Sequence, residues 1–295
     1  MNTSSKGFRV AANVILCLLT LACLLPLILL IMSSLTSEEG LLRDGYAFIP
    51  KSFGLESYAY LWTSRAQIGR AYSMTLLTTA AGTSLSLALT TLMAYPLSRK
   101  YLPGRNFFAF FVFFTMLFNG GLIPSYLMWT QTFHIKDTFF ALVFPNLLLN
   151  GFAIIMMRTF FSTSIPETIL EAARIDGATE LGTLLRIVLP LSKPIMASIG
   201  LMTALAYWND WLNGLYYLVK RTDLYTIQNL LNRLVTSADF LSNNAANSML
   251  TQGIRIPSVG VRMAISVIAI LPILVIYPFF QKGFVKGIVI GGVKG

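Results

Sequence analysis

Charged side chains are scarce in this sequence. Asp, Glu, Lys and Arg make up 12% of the 295 residues, about half the share that soluble domains carry, whereas hydrophobic residues make up 55%. The chain has one histidine and two cysteines, and Cys17 and Cys23 lack the spacing of a metal site. These shortages exclude an ordinary soluble domain and predict one domain embedded in a lipid membrane.

Sequence motifs of catalysis are also absent. The chain has no G-x-x-x-x-G-K-[ST] loop, no H-E-x-x-H and no G-x-S-x-G, so we do not expect it to hydrolyse ATP by a P-loop. The apolar runs that are predicted to cross the membrane contain no Asp, Glu, Lys or Arg. Because a proton- or sodium-coupled transporter normally needs ionisable groups within the membrane, their absence argues against such a transporter and for energy supplied from outside the chain.

The charge balance is basic, with 22 Lys and Arg against 12 Asp and Glu. The basic residues are scattered between apolar runs, and they form no stripe with interleaved aromatic side chains. We therefore expect no nucleic-acid partner. Topology signals and contacts with anionic lipid headgroups explain the excess of positive charge better.

Apolar runs predict six transmembrane spans. The first, at residues 10–32, has 23 residues, enough to cross a bilayer of about 30 Å. It is longer than the apolar core of a signal peptide and lacks an Ala-x-Ala cleavage site, so we interpret it as a retained span. The other five are predicted at residues 71–95, 107–129, 139–157, 195 to about 208, and 263–280.

Basic residues cluster on one side of the predicted membrane. Eight Lys or Arg lie in the 35 residues of three short segments, 1–9, 96–106 and 281–295. Because short cytoplasmic segments are enriched in these residues, we expect both termini and the loop at 164–194 to be cytoplasmic. The longer segments 33–70 and 219–262 are then external.

Two spans carry features of close packing or of a break. The second contains the small-residue pairs Ala80/Ser84 and Gly82/Ser86, which let helix backbones approach closely. We expect it to pack centrally; the alternative is that Ser and Thr only dilute its hydrophobicity. The third contains Asn-Gly-Gly-Leu-Ile-Pro at 119–124, which either lines a pathway or marks the outer end of the helix.

The loop at 164–194 is the longest polar part of the chain that is able to form helices. Ser164 and Glu167 have capping-box spacing, so a short helix is predicted from residue 165. It ends at Asp176-Gly177, where glycine permits a turn. A second amphipathic helix is predicted over 179–190. Two such helices form either a docking element or an ordinary cytoplasmic loop.

The loop contains three motifs in a fixed order: Glu171-Ala172-Ala173, Asp176-Gly177-Ala178 and Ile187-Val188-Leu189-Pro190. In this order and spacing they resemble the EAA loop of ABC-importer permeases. Further segments at 120–124, 208–211 and 277–295 are similar to the second permease of carbohydrate-uptake ABC importers. The resemblance is to the lipoprotein-associated oligosaccharide and polysaccharide type, which includes alginate and pectin-fragment importers.

This resemblance implies an all-α membrane protein with six transmembrane helices, the type I importer permease fold and a cytoplasmic coupling helix. The implied partners are a sister permease in a heterodimer, two copies of a cytoplasmic ATPase that bind ATP and Mg²⁺, an external solute-binding protein and an oligosaccharide. No cofactor is expected in this chain, and the expected localisation is the cell membrane. The expected domains are 1–70 (first helix and external loop), 71–281 (five-helix core) and 282–295 (cytoplasmic tail).

The resemblance also implies a set of docking residues. The coupling helix, which in the family sits in a cleft of the ATPase, matches Glu171, Ala172, Ala173, Asp176 and Gly177. We expect Glu171 and Asp176 to make polar contacts and Gly177 to form the turn. The tail at 282–295 resembles those that reach between the ATPase subunits, or it is a frayed terminus. Segment 219–262 corresponds, by position alone, to a loop that reaches into the binding protein.

A predicted sugar path follows from the side chains at the end of the fifth span. Sugars stack on aromatic faces and hydrogen-bond to amides and carboxylates, and this segment offers Trp208, Asn209, Asp210, Trp211 and Asn213. The alternative is an interfacial aromatic belt. In some relatives, moreover, the sister permease makes most of the substrate contacts.

Two other functions compete with this interpretation. The EAA loop is shared by permeases for amino acids and peptides, but the C-terminal segment 277–282 and the ending Val293-Lys294-Gly295 favour the carbohydrate type. A membrane enzyme or a self-contained channel would work without an ATPase, so co-purification of an ATPase with this chain would exclude that class.

Overall fold

The computed structural model describes residues 6–245, 259–272 and 274. Within these residues the regular elements are helices, and β pairing is limited to an isolated antiparallel bridge between Thr36 and Phe53. The described residues belong to two compact units: one contains residues up to 68 and those of 231–273, and the other contains 69–230 and 274. The predicted tail at 282–295 lies outside the described residues.

Besides a 3-10 turn at Thr222–Leu224, fourteen helices follow one another along the described chain. They are α1 (Lys6–Ser34), α2 (Glu38–Asp44), α3 (Glu56–Thr63), α4 (Arg65–Ser98), α5 (Arg105–Leu117), α6 (Leu122–Thr132), α7 (Phe140–Val143), α8 (Gly151–Thr163), α9 (Glu167–Ile175), α10 (Glu180–Leu191), α11 (Lys193–Trp208), α12 (Leu212–Tyr217), α13 (Ile227–Ala245) and α14 (Val259–Pro272). Both α6 and α10 include one π-type turn.

The first two predicted spans are confirmed as continuous helices. The stretch Gly7–Ser34 of α1 and the whole of α4 are long and apolar enough to cross a membrane. Helix α1 remains continuous through Pro26, and its side chains are mostly exposed, as expected for a surface that faces lipid. These two helices supply the longest apolar elements of the described chain.

The third predicted span is wrong as a single helix. Helix α5 ends at Leu117 and α6 begins at Leu122, and the two axes are bent by 111°. The break lies where Gly121 has a φ of 90°, an angle that glycine adopts without steric cost. The side chain of Asn119 accepts a hydrogen bond from the Gly121 amide at 2.8 Å and so supplies the partner that the broken helix lacks.

The fourth predicted span is also interrupted. At the start of this predicted span only Phe140–Val143 is helical. Asn146 has a φ of 62°, which does not fit a right-handed helix. Helix α8 then begins at Gly151, because the Asn150 side chain accepts hydrogen bonds from the amides of residues 152 and 153 at 2.9 and 3.2 Å. Asn150 is therefore the N-cap of α8.

The fifth and sixth predicted spans correspond to α11 and α14. Helix α11 is bent by 84° relative to α10. The described part of the sixth span ends with α14 at Pro272, and residues 275–280 lie outside the described part. An apolar helix is thus present at each of the six predicted positions, in agreement with the predicted all-α membrane fold.

The core of the second unit joins the C-terminal half of α4 to five other helices. Its buried side chains come from α4, α5, α8, α9, α10 and α11, and they include Tyr95, Phe161, Leu170, Leu184 and Ile199. Closer to the start of α4, Gly82 lies directly against the ring of Tyr207 on α11. The Tyr207 hydroxyl donates to the carbonyl of Val143 at 2.8 Å. The expected central packing of α4 is confirmed at Gly82 and Ser86, whereas Ala80 and Ser84 are exposed.

A carboxylate connects the segment after α6 to the segment after α12. Asp137 accepts hydrogen bonds from the backbone amides of Val219, Lys220 and Arg221 at 2.7, 2.8 and 3.2 Å. Burial opposes ionisation of Asp137, but these three amides outweigh it and hold its pKa below the usual value. Sequence analysis assigned no role to this residue.

Substitution at Gly82 tests the contact between α4 and α11. A Cβ atom at this position would lie 2.5 and 2.7 Å from two ring carbons of Tyr207. We expect Gly82→Ala to destabilise the protein by about 1–3 kcal/mol, as overpacking does, and to lower the midpoint of thermal unfolding in detergent. Gly69→Ala is the matched control, because nothing lies within 4 Å of that position and alanine favours the helix. Equal midpoints for the two variants would contradict the contact.

Candidate functional site

The first helix of the loop at 164–194 begins later than predicted. Its N-cap is Pro166, with a ψ of 132°, and no side chain caps the helix. The predicted capping box of Ser164 and Glu167 does not form, and the predicted start at Ile165 is wrong. The physical reason is that a residue before proline is pushed out of the helical region, so Ile165 stays outside and the helix begins at Glu167.

Helix α9 has one face in the protein and one face in solvent. Leu170 and Ala173 are buried, and Leu170 packs into the core that also contains Tyr95 and Leu184. Glu171 and Ala172 are exposed. The Glu-Ala-Ala motif therefore divides: its third residue holds the helix on the permease core, and its first two face outward.

The turn after α9 depends on a single glycine. Gly177 has a φ of 76°, in the left-handed region that other residues enter at a cost of roughly 1–2 kcal/mol. Hydrogen bonds run from the amide of Gly177 to the carbonyl of Arg174 at 3.0 Å and from Ala178 to Ala173 at 2.9 Å. Asp176 and Gly177 are both exposed. The predicted break at Asp176-Gly177 is confirmed.

The second helix of the loop begins where it was predicted. The hydroxyl oxygen of Thr179 accepts a hydrogen bond from the amide of Gly182 at 3.1 Å and caps α10. The helix continues through Pro190 to Leu191, one residue beyond the predicted end. Thr183, Leu184 and Val188 are buried on one face, which anchors α10 to the same core as α9.

Large apolar side chains lie in solvent beside the exposed carboxylates of the turn. The exposed fraction is 86% for Ile175, 58% for Leu181 and 54% for Leu185. Apolar side chains of this size and exposure are available for contact with another protein or with lipid. The turn therefore combines an apolar contact area with the charged groups of Glu171 and Asp176.

A polar network that sequence analysis missed lies behind the turn. The Tyr95 hydroxyl donates to Glu180 Oε2 at 2.7 Å, and Arg174 Nε lies 3.4 Å from Glu180 Oε1. The Arg174 guanidinium also stacks over the ring of Tyr101 at 4.1 Å. The signal in the sequence was the pair of opposite charges, Arg174 and Glu180, on either side of the turn. Tyr95 and Tyr101 are distant in the chain, and only folding brings them to this pair.

Hydrogen bonding keeps Glu180 ionised. Partial burial opposes ionisation, but hydrogen bonds from Tyr95 and Tyr101 and the charge of Arg174 outweigh it and hold the pKa of Glu180 below its usual value. Partial burial and the neighbouring Glu180 carboxylate raise the pKa of Tyr101. At neutral pH the Glu180 carboxylate therefore accepts hydrogen bonds, and the tyrosine hydroxyls are their donors.

The predicted sugar-path residues lie where α11 ends and α12 begins, but they do not share one exposed face. Trp208 and Asn213 are buried, Asp210 is half-buried, and Asn209 and Trp211 are exposed. Of these five residues, only Asn209 and Trp211 are exposed to a solute, and Asn209 Oδ1 accepts a long hydrogen bond of 3.5 Å from Gln228 Nε2. The Trp208 indole Nε1 is buried and has no hydrogen-bond partner among the described residues.

Two of the five residues have structural roles. Asp210 Oδ1 accepts from the amides of Leu212 and Asn213 at 3.2 and 3.3 Å and caps α12. The Asn213 side chain donates to the carbonyl of Pro145 at 3.0 Å. No group of three or more His, Cys, Asp or Glu side chains that is able to hold a metal ion occurs within the described part of the chain.

Paired substitutions of asparagine test the structural role of Asn213. We expect Asn213→Ala to leave the buried Pro145 carbonyl without its donor, at a cost of about 1–3 kcal/mol, and to lower the midpoint of thermal unfolding in detergent. Asn209→Ala removes the same amide from an exposed position and should leave the midpoint nearly unchanged. Equal effects of the two substitutions would refute this role.

Comparison with known proteins places the chain in a family. A family model described as the binding-protein-dependent transport system inner membrane component matches residues 104–290. The chain is 37% identical over 272 residues to protein LplC of Bacillus subtilis (strain 168), across 92% of this chain and 90% of the relative. It is also 37% identical over 280 residues to the polygalacturonan/rhamnogalacturonan transport system permease protein YtcP of that organism, across 95% and 96% of the two chains.

A solved structure shares the fold. It is described as a bacterial ABC transporter involved in the import of the acidic polysaccharide alginate, and one of its chains matches with a TM-score of 0.78 and 28% identity. The match covers 96% of this chain and 99% of the other. The resemblance seen in the EAA loop is therefore confirmed over nearly the full length, and the chain belongs to the family of inner membrane components of binding-protein-dependent transport systems.

Proposed function

We propose that this chain is the permease subunit of an ATP-driven ABC importer that carries oligosaccharides, or fragments of polysaccharides, into the cytoplasm. The observation that carries the proposal is the division of α9 into two faces. Leu170 and Ala173 fix the helix on the permease core, and Glu171 and Ala172 face outward next to the Gly177 turn. This arrangement suits a helix that receives a movement from outside and passes it into the core.

The energy source that we propose is a cytoplasmic ATPase dimer in which α9 sits. The exposed apolar side chains of Ile175 and Leu181 supply contact area, and Glu171 and Asp176 supply polar contacts. This placement requires the loop at 164–194 and both termini to be cytoplasmic, as the basic segments indicate. ATP and Mg²⁺ then bind to the partner rather than to this chain.

The proposed cycle also needs a sister permease and an external solute-binding protein. The loaded binding protein docks outside, and ATP closes the ATPase dimer. Helix α9 transmits this closure into the helices of the second unit, so that the pathway switches from inward-facing to outward-facing, and hydrolysis resets it. The family description, which names binding-protein-dependent transport, supports the external partner.

The substrate class is supported by the relatives. The names of YtcP and of the alginate transporter both refer to polysaccharides, and further relatives are named as permeases for arabinooligosaccharides and for melibiose, raffinose and stachyose. No described feature favours amino acids or peptides instead. Within this chain, we propose that Trp211 and Asn209 contact the sugar by stacking and by hydrogen bonding, and that Trp208, Asp210 and Asn213 support the segment.

Reconstitution tests the proposed function. The chain is placed in proteoliposomes with its sister permease, ATPase and binding protein, and ATP-dependent uptake of a labelled oligogalacturonide is measured. We expect Glu171→Lys and Gly177→Val to reduce uptake to background and to release the ATPase, since the first reverses a charge in the docking face and the second strains the turn. Membrane insertion should be unchanged.

Two control substitutions accompany these variants. Lys100→Glu reverses a charge in an exposed loop outside α9, and Gly69→Val adds the same side chain where nothing lies within 4 Å. Both controls should retain uptake. Normal uptake and normal ATPase association in the Glu171 and Gly177 variants would rule out the docking assignment.

A further inference from the structure

Four side chains behind the turn form one connected cluster, which we call the latch: Tyr95, Tyr101, Arg174 and Glu180. Glu180 is its centre, because it accepts from the Tyr95 hydroxyl at 2.7 Å and pairs with Arg174 Nε at 3.4 Å. Tyr101 lies under the Arg174 guanidinium, with 4.1 Å between Cζ and the ring centroid. No member of the latch belongs to the Glu-Ala-Ala or Asp-Gly-Ala motif.

The latch spans the glycine turn and ties both sides of it to α4. Arg174 lies in the last turn of α9, and Glu180 lies in the first turn of α10. Tyr95 is in the last turns of α4, and Tyr101 follows three residues after the end of that helix. Any displacement of the turn relative to α4 must therefore stretch or break these polar contacts.

An empty cavity of about 270 Å³ lies beside the latch. Its lining includes Tyr95, Arg99, Tyr101, Glu180, Leu92 and Leu184. Close packing transmits displacement between helices, but on this side α4 and α10 are separated by space. The latch is thus a polar connection between the two helices beside the cavity, in addition to the apolar contacts that Tyr95 and Leu184 make in the shared core.

The α4 end of the connection is held rigidly. Arg99 is 2% exposed, donates to Ser98 Oγ at 2.9 Å and to the Phe161 carbonyl at 3.3 Å, and lies over the Tyr95 ring at 5.1 Å. These contacts fix the orientation of the Tyr95 side chain. A force on the Tyr95 hydroxyl therefore acts on α4 itself, the helix whose Gly82 contacts Tyr207.

We propose that Glu180, through Tyr95 and Arg174, is a positioning residue that makes α4 follow the movement of α9 when the ATPase closes. The proposal rests on the proposed function, since it assumes that an ATPase moves α9. Glu180 lies within the permease, behind the proposed docking surface, and does not itself contact the ATPase in this proposal. Its role is to carry the displacement of the turn across the cavity to α4.

The latch is suited to coupling rather than to overall stability. The Arg174 and Glu180 side chains are 36% and 52% exposed, and exposed ion pairs contribute little to the free energy of unfolding. Variants of the latch should therefore fold and assemble. Their effect should appear in the ratio of transport to ATP hydrolysis, which a purely structural contact would leave unchanged.

The experiment compares Tyr95→Phe, Glu180→Gln, Glu180→Ala and the double variant Tyr95→Phe/Glu180→Ala in the reconstituted transporter. Co-purified ATPase, ATP hydrolysis, stimulation of hydrolysis by the binding protein, and uptake per ATP hydrolysed are measured. We expect normal ATPase association and a fall of about fivefold in uptake per ATP for Glu180→Ala. The fall should be smaller for Glu180→Gln, which keeps an acceptor for Tyr95. The double variant should match Glu180→Ala, because Tyr95 acts through Glu180.

Lys100→Gln is the matched control, since it removes a charge from the exposed loop beside Tyr101 and should keep the normal ratio. A normal ratio in Glu180→Ala would overturn the proposal. Loss of the ATPase from that variant would also overturn it, by placing Glu180 in the docking surface. If the wild-type transporter takes up no oligosaccharide, the proposed substrate class is wrong, and the latch is judged by the stimulation of hydrolysis alone.

Discussion

Backbone groups at helix ends that are buried in the protein need hydrogen-bond partners, because the interior supplies no water to replace them. This requirement governs the second unit. The carbonyls of Leu97 and Ser98 at the end of α4 receive hydrogen bonds from Arg158 and Ser162 of α8 at 3.0 and 3.3 Å. Arg99 returns a hydrogen bond to the end of α8. The two helix ends thereby stabilise each other, and the core that supports the loop at 164–194 is built on this exchange.

The turn at Asp176-Gly177 depends on that supported core. Helix α9 is short, and isolated helices of this length are marginal in water, so its stability comes from burying Leu170 and Ala173. Because one face is anchored, the other is presented in a fixed orientation next to Gly177. A helix that is held in this way moves as a unit with its support. Anchoring thus gives a short amphipathic helix a fixed outer face.

Much of the fold and part of the site were predictable from local pattern. Apolar runs indicated α1 and α4, and the Asp176-Gly177 turn followed from glycine's freedom at positive φ. The errors occurred where one local signal competed with another. The capping box of Ser164 does not form, because Pro166 keeps Ile165 out of the helical conformation. Hydropathy alone suggested continuous spans at 107–129 and 139–157, whereas glycine and asparagine break both helices.

The sequence by itself determined the class of protein, the helical loop at 164–194 and its turn, because these depend on composition and on residues close together along the chain. Only the tertiary structure decided which polar side chains are free. It assigned Asp210 and Asn213 to backbone groups and joined Glu180 to Tyr95, which is 85 residues away. The physical reason is that a side chain's partner is set by which helices pack together, and that packing brings distant residues within hydrogen-bonding distance.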